Sequence, residues 1–88
     1  MVNVEHIVQN PNIQLYVTMV RGNNNERFVV KTDKNTQKAG TLKTIVYRKY
    51  RNNPILHEKK RLVVESKMPC AFKVVHDKTV DYVFQQLS

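Results

Sequence analysis

Alternation of apolar and polar positions organises this chain. From Ile13 to Val20, Ile13, Leu15, Val17 and Met19 fall on one side of an extended strand, and Gln14, Tyr16, Thr18 and Val20 on the other. Arg21-Gly22-Asn23-Asn24-Asn25 follows, and Gly and Asn tolerate the positive φ that tight connections need. Arg27 to Thr32 then reads as the returning strand, which predicts a hairpin with a loop longer than two residues. Leu42 to Arg51 is a second clear strand. Its faces are Leu42-Thr44-Val46-Arg48-Tyr50 and Lys43-Ile45-Tyr47-Lys49-Arg51. Apolar residues on both faces at its start predict a centrally paired strand, whose Tyr47–Arg51 end projects beyond the core. Asn52-Asn53-Pro54 turns the chain, because Pro54 has no N–H for a ladder and pushes Asn53 out of the helical region. Lys59 to Ser66 returns, with Leu62 and Val64 expected toward the core and Arg61, Val63 and Glu65 outward.

The flanking segments are less regular. Val2, Val4 and Val8 alternate as in a strand, while Val4, Ile7 and Val8 also form a short helical stripe; Pro11 stops either element. Asp33 to Gly40 has no apolar period and reads as a mobile surface loop carrying Lys34 and Lys38. Met68-Pro69 breaks the preceding run, and Cys70 to Val75 reads as a short last strand. Beyond it, Val80, Val83, Phe84 and Leu87 share one helical face with Asp77 as the N-cap. Thr79–Phe84 also alternates, but a strand leaves Val83 and Leu87 unexplained. The pattern therefore predicts an α+β fold, a small antiparallel sheet of four or five strands with a short C-terminal helix; the alternative is all-β.

Composition narrows the class. At 88 residues, with 41% apolar and 25% charged positions, residues 1–88 form a single basic β-rich domain rather than a disordered chain. The formal charge of +8 is concentrated: between Thr41 and Lys67 stand eight Lys/Arg against only Glu58 and Glu65. Charge of that size bears on partners more than on fold. Cys70 is alone, so there is no disulfide framework; no leader opens the chain, and no apolar run approaches the ~20 residues that cross a bilayer. These features lead us to expect no membrane and an intracellular setting, cytoplasm or nucleus.

Catalytic and metal chemistry find little footing. His57, Cys70 and His76 are scattered and lack the closely spaced pairs of a structural zinc site, so no metal or other cofactor is expected. Cys70, beside Pro69 and Phe72, reads as a small buried hydrophobe. The run from Tyr47-Arg48-Lys49-Tyr50 through Lys60-Arg61 to Pro69-Cys70-Ala71-Phe72-Lys73 resembles the basic β-sheet zinc modules of the WRKY and FLYWCH kind. It lacks their first cysteine and their closing His-x-His, so the resemblance implies at most a zinc-free relative. No nucleophile elbow, zincin, Walker or dinucleotide motif occurs and the acids are dispersed, so the chain is not expected to be an enzyme. Phe28, Phe72 and Phe84 are the expected core aromatics.

The expected function is non-catalytic nucleic-acid binding through a basic, Tyr-containing β-hairpin surface. Arg48, Lys49, Arg51, Lys59, Lys60 and Arg61 would contact phosphates, and Tyr47 or Tyr50 would stack or pack beside them. RNA or single-stranded DNA is favoured over sequence-specific duplex reading, because no helix carries the charge. The alternative is a small protein-interaction module, an adaptor or inhibitor, that docks an acidic protein or a strand edge. Oligomeric state is not encoded in any of these patterns.

Overall fold

The structure, a computed structural model, describes residues 2–23, 25–50, 52–66 and 70–87. Five strands, β1 (Asn3–Asn10), β2 (Leu15–Arg21), β3 (Arg27–Lys34), β4 (Thr41–Lys49) and β5 (Leu56–Glu65), form one sheet in sequence order, and helix α1 (Ala71–Leu87) follows. All four neighbouring pairs are antiparallel. The fold is α+β, and β4 is paired on both sides as its two apolar faces predict.

Local chemistry explains the connections. Left-handed residues sit where the sequence offers Asn or Gly: Asn25 (φ 60°), Gly40 (φ 76°) and Asn52 (φ 62°). Gln14 is the exception at φ 53°, and its N–H donates to the Pro11 carbonyl at 3.3 Å. That turn takes Ile13 and Gln14 out of the expected strand. The N-terminal segment resolves as a strand, since Asn3–Asn10 finds a full partner in β2, with one bulge at Ile7. Asp33 and Lys34 belong to β3 rather than to a loop, because they stand opposite Lys43 and Leu42. The return strand β5 begins at Leu56, ahead of the expected Lys59.

One helix covers one face of the sheet. Beneath α1 lie Tyr16, Thr18 and Val20 of β2, Val30 and Thr32 of β3, and Leu42, Thr44 and Val46 of β4, all buried. The helix answers with Phe72, His76, Val80 and Val83, spaced four, four and three apart on one stripe. That stripe overturns the reading of Cys70–Val75 as a strand: its β-forming Phe and Val residues are the first two turns of the helix. Asp77 is consequently interior to the helix, not its cap, and accepts from Lys73 Nζ at 2.8 Å. The expected break at Met68-Pro69 lies outside the described residues. Core assignments at this helix also change. Phe84 is 37% exposed, on the flank of α1, and Cys70 is exposed at its start.

The centre of this core is polar. His76 is 1% exposed; its Nε2 lies 2.7 Å from Thr18 Oγ1 and its Nδ1 2.8 Å from Thr32 Oγ1, which in turn bonds Thr44 Oγ1. Thr18 Oγ1 also meets His6 Nδ1 at 3.1 Å. A neutral imidazole donates through one nitrogen and accepts through the other, so it satisfies two hydroxyls at once. Burial lowers the His76 pKa from 6.5 to about 4, helped by His6 and Lys73 and opposed by Asp77.

A depressed folded pKa means that the unfolded chain binds the proton more readily between about 6.5 and 4. Stability is therefore highest above that window and falls as pH drops through it, by at most about 3 kcal/mol from this one group. Denaturant unfolding at steps of pH is the check. A His76→Gln chain, with no imidazole to titrate, should show a shallower decline over the same window. Equal slopes would mean that His76 is not held neutral by burial.

Candidate nucleic-acid interface

Strand alternation divides the cationic cluster between two surfaces. The register Val46↔Lys60, Thr44↔Leu62 and Leu42↔Val64 places Lys60, Leu62 and Val64 on the helix side of β5, and Arg61, Val63 and Glu65 on the other. Between Val46 and Tyr47 the register slips by one residue, leaving Lys59 as the extra residue of a bulge. Beyond it, Glu58 stands opposite Tyr47 and His57 opposite Arg48. Of the eight expected site residues, Arg48, Tyr50 and Lys60 thus face the helix side. Tyr47, Lys49 and Arg61 face the helix-free side, Lys59 sits at the bulge, and Arg51 lies outside the described residues.

On the helix side the cations are held by rings. Arg48 Cζ lies 4.9 Å from the Tyr50 ring centre and 5.5 Å from that of Phe28, while its NH1 sits 3.9 Å from Glu26. Lys60 Nζ stands 4.5 Å over Tyr82, and Lys59 Nζ is 5.9 Å from Tyr50. Tyr50 also meets His57 edge-on at 5.0 Å. Guanidinium or ammonium over an aromatic face stabilises the fold modestly and leaves the charge accessible from its outer side. Leu62, expected in the core, is 42% exposed, because α1 lies mainly over β2, β3 and β4 and meets β5 only at its margin, as where Tyr82 lies under Lys60.

The helix-free face carries a second arrangement that linear clustering does not reveal. No element among the described residues packs on it. Val29 and Ile45 are still only 7% and 3% exposed, flanked in register by Met19 and Tyr47 and by Lys31 and Arg61, long side chains whose stems shield apolar neighbours. At one end of this face Arg21 stands opposite Arg27, and Arg27 opposite Lys49, giving three cations in a row across β2, β3 and β4. Glu5 sits 3.9 Å from Arg21, but neither Arg27 nor Lys49 has an acidic partner among the described residues. Tyr47 is the next residue on the same face. Lys31 and Lys43 lie further along it; Lys31 is 4.0 Å from Asp33, and Arg61 is 2.7 Å from Glu58. Arg21 and Arg27 escape a reading by sequence clusters because a charged tripeptide is visible in the chain, whereas a row across strands requires the register.

The histidines and the cysteine do not converge. His76 is committed to threonines in the core, His57 lies at the far end of β5, and Cys70 is exposed. Among the described residues, no group of three or more His, Cys, Asp or Glu is placed to hold a metal ion, and no helix is long and apolar enough to cross a membrane. The segment that carries the likeness to zinc modules, Cys70-Ala71-Phe72-Lys73, opens a helix rather than closing a sheet. Compared with protein-family models, curated proteins and solved structures, the chain finds no match.

Arg48 and Lys49 are neighbours in the chain with different physical roles, which thermodynamics can separate. Arg48→Ala should cost about 1–2 kcal/mol, since it removes two ring contacts and the stem that packs between them. Lys49→Ala should stay within about 0.5 kcal/mol, as solvated surface changes do. Chemical denaturation of both variants is the measurement, and equal losses would refute the division.

Proposed function

We propose that this protein binds single-stranded nucleic acid without catalysis, laying the strand across the basic end of the sheet. The observation that carries the reading is the row Arg21–Arg27–Lys49 on the helix-free face. Like charges directly opposite one another on adjacent strands are destabilising by up to about 1 kcal/mol, so the row costs stability unless an anion lies over it. A chain of phosphates is such an anion, and the ring of Tyr47 beside it offers a stacking surface for an unpaired base. Arg48 and Lys59, both against the Tyr50 ring, make the same end basic on the helix side, and Lys60 and Arg61 extend the charge along β5. RNA or single-stranded DNA suits a sheet face better than duplex does, because α1 carries no cationic stripe to enter a groove. An acidic protein is the rival occupant of the same charges.

Two measurements test this. Each phosphate neutralised on a single strand contributes about −0.7 to the slope of log affinity against log salt, so three to five contacts give roughly −2 to −3.5. Replacing Arg27 and Lys49 together with Ala should flatten that slope by about 1.4, while replacing Lys34 and Lys38 should change it less. Arg27→Thr carries a second signature. It should raise the melting temperature slightly, by relieving the like-charge row with a β-forming residue, while weakening binding. Undetectable affinity for short RNA and DNA at low salt would overturn the proposal and leave the acidic-protein partner.

A further inference from the structure

The edge strand β5 is only half protected. Its first half carries the bulge at Lys59 and the charged run Glu58 to Arg61, devices that discourage pairing with another strand. Its second half, Leu62-Val63-Val64, has neither. Leu62 and Val63 are 42% and 48% exposed. On the helix side, Leu62 and Val64 floor a trough of about 300 Å³ whose far wall is Val75, Thr79 and Tyr82 of α1. An apolar, uncovered strand edge beside an apolar trough is a surface built to receive another strand.

The backbone phase fixes which groups are on offer. Ser66 N–H donates to the Gly40 carbonyl at 2.8 Å, one step beyond the Thr41↔Glu65 pair. Antiparallel pairs alternate between bonded and non-bonded, so Val64, Leu62 and Lys60 bond inward to β4. Arg61, Val63 and Glu65 therefore turn their N–H and C=O groups to the free edge. The incoming strand must present its own outward-turned residues opposite these.

We propose that the occupant is a second copy of this chain, with β5 pairing antiparallel to β5 about a two-fold axis through Val63. In that register Val63 meets the partner's Val63, and Arg61 meets the partner's Glu65 twice over. On the helix side, Leu62 meets the partner's Val64 twice over, so four apolar side chains close the space between the two helices. Charge, apolarity and hydrogen-bond phase agree at this centre alone. An axis through Arg61 sets that residue against itself. An axis through Leu62 sets Arg61 against Val63 and Lys60 against Val64. The pairing is isologous and closes on itself, so it stops at two copies in one continuous ten-stranded sheet. Because each copy carries +8, association strengthens as salt rises, opposite to nucleic-acid binding.

Sedimentation velocity of the full chain, free of nucleic acid, tests this independently of the proposed function. Wild type should show a concentration-dependent dimer. Val63→Pro removes an outward N–H and no bond to β4, so it should be monomeric with an unchanged circular dichroism spectrum. Arg61→Glu and Glu65→Arg should each be monomeric alone, since each sets like charges face to face, and should form a heterodimer on mixing. A monomer at every concentration and salt would overturn the proposal, as would a dimer indifferent to Val63→Pro. If the two charge variants fail to associate on mixing, the register is wrong and the proposal falls with it.

Discussion

The imidazole of His76, held between the hydroxyls of Thr18 and Thr32, is the constraint from which the rest of the architecture follows. Thr18, Thr32 and Thr44 form a polar row across the inner face of the three central strands, all fully or nearly fully buried. A buried polar group without a partner costs about 1–3 kcal/mol, and the buried imidazole of His76 meets this by setting one nitrogen on Thr18 and the other on Thr32. Apolar contacts alone, with Val80 and Val83 against Val20, Val30 and Val46, would tolerate sliding of α1 over a smooth valine floor. The imidazole does not, because a shift of one residue moves its nitrogens off both hydroxyls. Polar satisfaction thus sets the helix in one place, over β2, β3 and β4.

That placement decides what remains outside. With α1 committed to the middle of the sheet, no element among the described residues lies over the opposite face, and much of β5 stays exposed. Both surfaces are consequently available, and they differ in kind. The helix-free face is cationic at one end, with Arg21, Arg27 and Lys49 abreast and Tyr47 beside them. The β5 margin is apolar where Leu62, Val63 and Val64 follow its charged half. A polyanion over the Arg21–Arg27–Lys49 row and a second strand along Leu62–Val64 would occupy different atoms, although both readings draw on Arg61.

Much of the fold is legible in the sequence, and the failures have physical causes. The central hairpin, the doubly paired β4 and the turns at Asn25, Gly40 and Asn52 are encoded locally, by alternation and by residues that accept positive φ. The start of α1 is not. Phe72, Val74 and Val75 favour a strand by propensity, and the helical stripe becomes continuous only when His76 is counted as a core residue, which its chemistry discourages until its threonine partners are known. The site fared differently. Its cations were visible, but adjacent residues of a strand point to opposite faces. The compact run Arg48-Lys49 is therefore two half-sites, and the partners of Lys49 are Arg27 and Arg21, far away in the chain. Register is a long-range property, and single positions do not announce it.

The bulge at Lys59 turns β5 into a strand with two reading frames. Ahead of it, residues of even number, Leu56 and Glu58, belong to the helix-free side; past it, even numbers belong to the helix side. One consequence is the ion pair of Arg61 with Glu58, three positions apart, which an unbroken strand would send to opposite faces. Another is modularity. The inserted residue works as a phase switch, so that loss of a single codon there would exchange inside for outside over Leu56–Glu58 and leave Lys60–Glu65 as it stands. Surface chemistry at the basic end and edge chemistry at the apolar end can therefore drift apart in evolution, though both are written on one strand.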